Sequence, residues 1–213
     1  WRERFDMDIY EAIGMSEFSY YISQNRQRPI RPGAAGFIQP GHEVALLDEH
    51  HRPVKPGEEG MLAVRDNDPG LFLGYWQLPR ETAESYSDGY FLTGDYARVD
   101  EDGYIWFVGR KDDIINTFGY RVSPHEIERV IKTHPAVADC VALGEPSGKD
   151  KILVSVCIIL NPNATANAQD ILEFGQRNLA RYKAPRLVHF YQEFPRTKNG
   201  KVLRKQMLAE LSG

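Results

Sequence analysis

Tyr104-Ile105-Trp106-Phe107-Val108-Gly109-Arg110-Lys111-Asp112-Asp113 is the stretch on which the architecture turns. Its first half is aromatic and β-branched, the content of a strand. Its second half is polar, and the texture of the chain changes across it. Upstream, from residue 30 to 108, short apolar runs such as Glu43-Val44-Ala45-Leu46-Leu47 and Met61-Leu62-Ala63-Val64 alternate with turn clusters. Those clusters are Arg31-Pro32-Gly33, Lys55-Pro56-Gly57 and Glu101-Asp102-Gly103. This spacing predicts a small β-barrel or folded sheet.

Downstream the pattern is mixed. Ser123-Pro124 predicts a helix over His125 to Thr133, with Ser as N-cap, Pro at the first helical position and Glu126 three residues after the cap. Strands are expected near Val137 to Leu143, Ile152 to Leu160 and Leu187 to Phe190. Further helices are expected at Ala168 to Arg181 and Val202 to Leu211. The fold class is therefore α/β in the α+β sense: a small β-rich, barrel-like subdomain, residues 1–110, then a compact mixed α/β domain, residues 111–213.

The 213 residues are 42% apolar and 26% charged, ordinary for a globular chain with a core. A net charge of −4 argues against a general nucleic-acid binder. Two cysteines, Cys140 and Cys157, make neither a disulfide framework nor a metal knuckle, and the six histidines lack ligand spacing. The expected compartment is reducing, the cytoplasm. The longest nearly apolar run, Ile152 to Leu160, is too short to span a bilayer.

Three separated segments carry the functional reading. The first is Tyr10-Glu11-Ala12-Ile13-Gly14-Met15-Ser16-Glu17. The second runs from Tyr90-Phe91-Leu92-Thr93-Gly94-Asp95 through Gly109-Arg110-Lys111-Asp112-Asp113 to Gly119-Tyr120-Arg121-Val122. The third is Pro195-Arg196-Thr197-Lys198-Asn199-Gly200-Lys201. In this order and at these spacings the chain resembles the adenylate-forming superfamily, and within it the C-terminal portion of AMP-forming acyl-CoA synthetases. The resemblance covers nearly the whole sequence.

It implies an enzyme that activates a carboxylic acid with ATP to an acyl-adenylate, then transfers the acyl group to CoA. Residues 1–110 would be the end of the large N-terminal domain, and residues 111–213 the small domain that rotates between half-reactions. The cofactors implied are ATP/AMP, Mg²⁺ and coenzyme A. The partners implied are the acid, ATP, CoA and the upstream domain of the same enzyme, with no nucleic acid and no membrane span.

Residue by residue, Gly14, Ser16, Asp95 and Arg110 fall on AMP/ATP-binding positions. A hydroxyl at Ser16 can donate to the α-phosphate. The Asp95 carboxylate can accept from both ribose hydroxyls. Glu17 matches a catalytic carboxylate that holds Mg²⁺, a hard cation suited to oxygen ligands. Lys111 and Asp112 fall on the hinge. Gly119, with Tyr120 and Arg121, falls on the loop that lines the pantetheine tunnel. Lys201 falls on the catalytic lysine, whose ammonium can neutralise charge developing on carboxylate and α-phosphate. It lies in a basic stretch, residues 181–205, with eight Lys or Arg and one acidic residue. That stretch is read as a solvated face or an attractor of ligand phosphates.

Ile13 stands where the family often has Tyr over the adenine, and Asn116 where many members have Lys. Benzoate-type ligases are similar in having Ile at the first position, and medium-chain and acetate-type synthetases in having Asn at the second; with Gly119-Tyr120-Arg121-Val122 the stretch looks closest to medium-chain fatty acyl and aryl-CoA ligases. The family's Ser/Thr/Gly-rich phosphate loop does not occur in this sequence. With Trp1 in place of Met at the start, the expectation is a truncated piece, inactive alone. Two other readings stay open: an adenylation protein that loads a carrier-protein pantetheine, and a non-catalytic nucleic-acid-binding module using residues 181–205.

Overall fold

A computed structural model of the chain describes residues 1–148 and 151–212. It divides into two compact units, Trp1–Lys111 and Asp112–Gly213.

The first unit holds α1 (Arg2–Phe5), β1 (Ala12–Ile13), β2 (Ile22–Ser23), β3 (Phe37–Ile38), β4 (Val44–Leu47), β5 (Glu59–Arg65), α2 (Pro79–Glu84), β6 (Tyr86–Ser87), β7 (Tyr90–Val99) and β8 (Ile105–Arg110). Strands β1, β2 and β3 form one small antiparallel sheet. The larger sheet runs β4-β5-β7, with β6 and β8 both pairing β7. β7 alternates half-buried and buried positions from Tyr90 to Arg98, the period of a strand with one face on a core. That core gathers Phe18, Tyr21, Ile22, Leu62, Val64, Ala97 and Ile105.

β7 and β8 are joined by a turn that Asp100 organises. Its Oδ1 accepts from the backbone N–H of Asp102 and Tyr104, at 3.1 and 2.9 Å. Its Oδ2 accepts from Trp106 Nε1 at 2.9 Å. The turn sets the pairing from Val99 with Ile105 to Ala97 with Phe107; a bulge that passes over Val108 then shifts it by one, and Asp95 falls opposite Arg110.

The second unit holds β9 (Ile115–Thr117), β10 (Tyr120–Val122), α3 (Pro124–Ile131), β11 (Val137–Pro146), β12 (Ile152–Leu160), α4 (Ala168–Asn178), β13 (Leu187–Phe190) and α5 (Arg204–Ser212). β9 and β10 make a hairpin. β11-β12-β13 make a mixed sheet, antiparallel between β11 and β12 and parallel between β12 and β13, with α4 in the crossover. Both faces of this sheet are covered. Cys140, Ala142, Val154, Val156 and Ile158 pack with Ile127, Ile131 and Ile171 of α3 and α4. Val141, Leu143 and Cys157 pack with Phe194 and with Met207 of α5. The strict alternation within β11 and β12 therefore feeds two cores.

Helix α3 starts where the cap predicts: the Ser123 side chain accepts from the Glu126 N–H at 3.4 Å. Helix α4 stops three residues earlier than expected, because Leu179 is already extended (φ −125°, ψ 153°). Its start carries a capping box, Asn167 with Asp170, that the sequence reading passed over. Helix α5 starts at Arg204 rather than Val202, because Val202 is bridged to Arg196 across the preceding loop. Among the described residues no helix is long and apolar enough to cross a membrane.

Candidate nucleotide site and lysine loop

In the first unit, the placement of Asp95 begins with a bulge. Ala63 of β5 faces Leu92 of β7, and Met61 faces Tyr96, so Thr93, Gly94 and Asp95 stand opposite Leu62 alone. Such insertions bend a strand and re-aim its side chains. Gly94 sits at φ 75°, a conformation that disfavours any Cβ. Thr93 Oγ1 donates to the Leu62 carbonyl at 2.8 Å and accepts from the Asp95 N–H at 3.1 Å. The bulge is thus tied down at both ends.

Asp95 is 6% exposed. Its Oδ1 lies 3.1 Å from Arg110 Nη1 but receives no well-directed hydrogen bond. Burial pushes the carboxyl up, the Arg110 charge pulls it back, and the like charge of Glu17 adds to the rise; the result is a carboxyl above its ordinary range. Tyr21 is fully buried close by, and its Oη is also without a hydrogen-bond partner. Burial and the Asp95 charge hold its phenol well above the usual value.

Glu17 reaches the same place from the β1–β2 loop. Its backbone carbonyl accepts from the Phe72 N–H at 2.8 Å, and its Oε1 accepts from Tyr75 Oη at 2.8 Å. Burial and the Glu17 carboxylate raise the Tyr75 phenol, while the Arg110 charge lowers it. Glu17, Tyr21, Tyr75, Thr93, Asp95 and Arg110 therefore share one electrostatic neighbourhood. Gly14 packs its α-carbon on the backbone of Tyr20, where a Cβ would come within 3.1 Å. Ser16 is exposed in the turn that precedes Glu17.

Tyr21, Tyr75 and Thr93 were not singled out from sequence. Thr93 had a signal, a hydroxyl two residues before the key carboxylate. Tyr75 had a weaker one, an aromatic pair after Gly74. Tyr21 reads as ordinary core.

Lys111 ends the first unit and Asp112 opens the second, within one turn. In the second unit, Gly119 (φ 80°) and Phe118 (φ 49°) form the two-residue loop of the β9–β10 hairpin. Positive φ at both central positions is the signature of the type I′ turn, and Phe118 holds it with an exposed ring. Space beyond Gly119 is open. Tyr120 stacks on Tyr182 with ring centroids 4.4 Å apart. Arg121 is exposed on the same hairpin.

Lys201 lies on a different loop, exposed, with no side-chain partner among the described residues. Much of the basic stretch around it is neutralised internally. Lys183 binds Glu126 at 2.7 Å, Arg196 binds Asp139 at 2.9 Å and Arg204 binds Glu128 at 2.7 Å. Part of the stretch is therefore ion-paired within the unit, while Arg181, Arg186, Lys198 and Lys201 are exposed.

Two family models match the chain. One, described as AMP-binding enzyme, covers residues 1–76, and the other, the AMP-binding enzyme C-terminal domain, covers residues 126–201. The chain is 36% identical over 215 residues to mitochondrial acyl-coenzyme A synthetase ACSM3 of Mus musculus, covering 97% of this chain and 37% of that protein. It is 36% identical over 213 residues to 4-hydroxybutyrate–CoA ligase 1 of Metallosphaera sedula, covering 97% and 38%. Among solved structures it is similar to anthranilate CoA ligase AuaEII in complex with anthranoyl-AMP, with a TM-score of 0.88 and 34% identity, over 99% of this chain and 40% of that one. ATP-bound MatB from Rhodopseudomonas palustris gives a TM-score of 0.89 and 32% identity, over 99% and 42%. The chain thus spans about two fifths of the length of these relatives.

Proposed function

We propose that the chain, matched by the AMP-binding enzyme model over residues 1–76 and by the C-terminal-domain model over residues 126–201, carries the nucleotide-gripping and lysine-bearing parts of an acid–thiol ligase. The reaction joins a carboxylic acid to AMP from ATP, releases pyrophosphate, and passes the acyl group to CoA. The observation that carries this reading is Asp95: a buried carboxylate oxygen, beside an arginine, lacking a hydrogen-bond donor. Burying such an oxygen without an aligned hydrogen bond is costly, and ligand hydroxyls are donors it fits. In this reading Asp95 accepts from the ribose hydroxyls and Arg110 steers it. Ser16 donates to the α-phosphate, and the bare α-carbon of Gly14 lets backbone and nucleotide approach.

Glu17 is the residue that would hold Mg²⁺, since its carboxylate has lone pairs beyond the one Tyr75 uses. Such a cation would offset the charge of the nucleotide's phosphates. No group of three or more His, Cys, Asp or Glu able to hold a metal occurs among the described residues.

Lys201 supplies the positive charge for the first half-reaction. There a carboxylate oxygen attacks the α-phosphorus and the bond to pyrophosphate breaks, so like charges converge. Lys111 and Asp112 form the hinge. Gly119, Tyr120 and Arg121 serve the second half-reaction, in which the thiol sulfur attacks the acyl carbon, its proton goes to solvent and AMP leaves. Residues 1–110 and 111–213 are the end of the large domain and the small domain respectively. Medium-chain fatty and aryl acids are the first to test, from Ile13 and Asn116. A reducing, cytoplasmic setting suits the buried free thiols of Cys140 and Cys157.

The test uses an assembled enzyme, this chain joined to the large-domain sequence its relatives carry beyond the part it spans. Lys201→Ala should slow acyl-adenylate formation by about two orders of magnitude or more. Thioester formation from supplied acyl-adenylate should stay near the parental rate. Equal loss in both half-reactions, or intact adenylation, would sink the assignment. Supplying free CoA and pantetheinylated carrier protein in parallel identifies the acceptor.

A further inference from the structure

Lys201 sits on a loop that is tightly closed. The Gly200 N–H donates to the Thr197 carbonyl at 2.9 Å, the Thr197 N–H to the Lys201 carbonyl at 2.8 Å, and the Leu203 N–H to the Pro195 carbonyl at 2.9 Å. An arginine flanks the lysine on each side, and each reaches β11. Arg196 donates through Nη1 to the Gly200 carbonyl at 3.0 Å and through Nη2 to Asp139 at 2.9 Å. Asp139 also binds Lys132 at 2.7 Å.

Arg204 donates through Nη1 to the Ala142 carbonyl at 2.9 Å and pairs through Nη2 with Glu128 Oε1 at 2.7 Å. Glu128 Oε1 in turn accepts from the Ala142 N–H at 2.9 Å. Ala142 lies on β11, an edge strand of its sheet, where it faces Val156 of β12. An edge residue normally leaves an N–H and a C=O unpaired. Here a carboxylate and a guanidinium complete the ladder from side chains. Arg204 Nε also stands 3.9 Å from Asp113, the second residue of the unit.

A loop that presents a catalytic cation gains from being held, because a displacement near 1 Å costs rate. Two arginines, five residues before and three residues after Lys201, fix the loop to one strand at Asp139 and Ala142. We propose that Arg204, seconded by Arg196, is the positioning residue for Lys201. This rests on the reading of Lys201 given above. The planar fork of arginine matters, since lysine keeps the charge but cannot hold Glu128 and the Ala142 carbonyl in one plane.

The experiment is a double-mutant cycle in the assembled enzyme. Arg204→Lys and Arg196→Lys are each made alone and in the Lys201→Ala background, and the two half-reactions are measured separately. Arg204→Lys should lower kcat for adenylation by about tenfold to a hundredfold, with KM for ATP and acid near parental. Thioester formation from supplied acyl-adenylate should not change. In the Lys201→Ala background the same substitution should add less than about twofold, because groups acting as a unit are non-additive.

A full effect persisting without Lys201 overturns the proposal and leaves a merely structural arginine. If Arg204→Lys lowers the melting temperature enough to unfold the chain, Arg196→Lys, at a more exposed position, carries the same cycle and the same criterion. Unchanged adenylation in both folded variants also overturns it. Adenylation left intact by Lys201→Ala alone overturns the proposed function, and the positioning role with it. An additive cycle overturns the positioning role only.

Discussion

Each unit buries one carboxylate beside one arginine, and the two are treated in opposite ways. Asp95 in the first unit is 6% exposed and Glu128 in the second is 7% exposed. Asp95 Oδ1 has an arginine at 3.1 Å but no aligned donor. Glu128 has Arg204 at 2.7 Å, the Ala142 N–H at 2.9 Å and His125 at 3.4 Å. Burial pushes both carboxyls up. For Glu128, the contacts of His125, Arg204 and Ala142 together outweigh burial and leave it below its ordinary range. For Asp95 burial wins. A buried charge that is fully satisfied needs nothing further from outside; one left short of donors is a candidate for completion by a ligand.

The comparison breaks first on stability. Arg204→Leu strands a buried carboxylate and should cost the second unit about 3–5 kcal/mol. Asp95→Asn removes a charge that is poorly compensated, and Arg110 is free to turn to solvent, so the first unit should melt no lower than the parent. All three tryptophans, Trp1, Trp76 and Trp106, lie in the first unit. Their fluorescence reports that unit, and amide hydrogen exchange reports the second. A larger loss from Asp95→Asn than from Arg204→Leu would reverse the assignment of scaffold and site.

Nucleotide binding comes next. Asp95→Asn in the assembled enzyme should weaken AMP by about tenfold to a hundredfold, the worth of hydrogen bonds to a charged acceptor. Calorimetric titration reads this directly, and unchanged affinity counts against the ribose role.

The pH dependence should then differ in sign. Glu128 titrates lower folded than unfolded, so its contribution is present above its unfolded value, about 4.3, and is lost as pH falls through the folded one. Asp95 titrates higher folded than unfolded. Its contribution is present below about 3.9 and is lost as pH rises through the folded value. The stability difference between parent and Glu128→Gln should therefore shrink on acidification, while the gain from Asp95→Asn should grow as pH rises from about 4. Parallel curves would contradict the contrast.

The smallest effect is expected at Tyr21. Tyr21→Phe removes one orphaned, buried hydroxyl and should change first-unit stability by at most about 1 kcal/mol. It should leave the Glu128 network untouched in hydrogen exchange.

Legibility from sequence followed range. Ile152 to Leu160 is a strand as its β-branched content indicates, Leu187 to Phe190 is a strand as expected, and Ser123 caps α3 as its spacing indicates. These signals are local. Asp95, Arg110, Glu17 and Lys201 can be proposed from sequence because ordered motifs carry them. The Glu128–Arg204 pair cannot be, because its partners are 76 residues apart and each reads alone as a charge on a polar face. Tyr21 was missed for the opposite reason: a tyrosine among apolar residues looks like core until its Oη is found unpaired beside Asp95. The bulge that aims Asp95 depends on β5 as well as β7, so Thr93-Gly94-Asp95 by itself does not disclose it.

The most direct measurement follows the side-chain carboxyl carbons of Asp95 and Glu128 by NMR through a pH titration of the assembled enzyme, with and without AMP. Without AMP, Asp95 should titrate above the ordinary aspartate range and Glu128 below the ordinary glutamate range. AMP should draw the Asp95 titration downward, as ribose hydroxyls supply the missing donors, and leave Glu128 where it was. An Asp95 titration indifferent to AMP, or equal shifts at both carboxyls, would contradict the assignment of Asp95 as the nucleotide's acceptor.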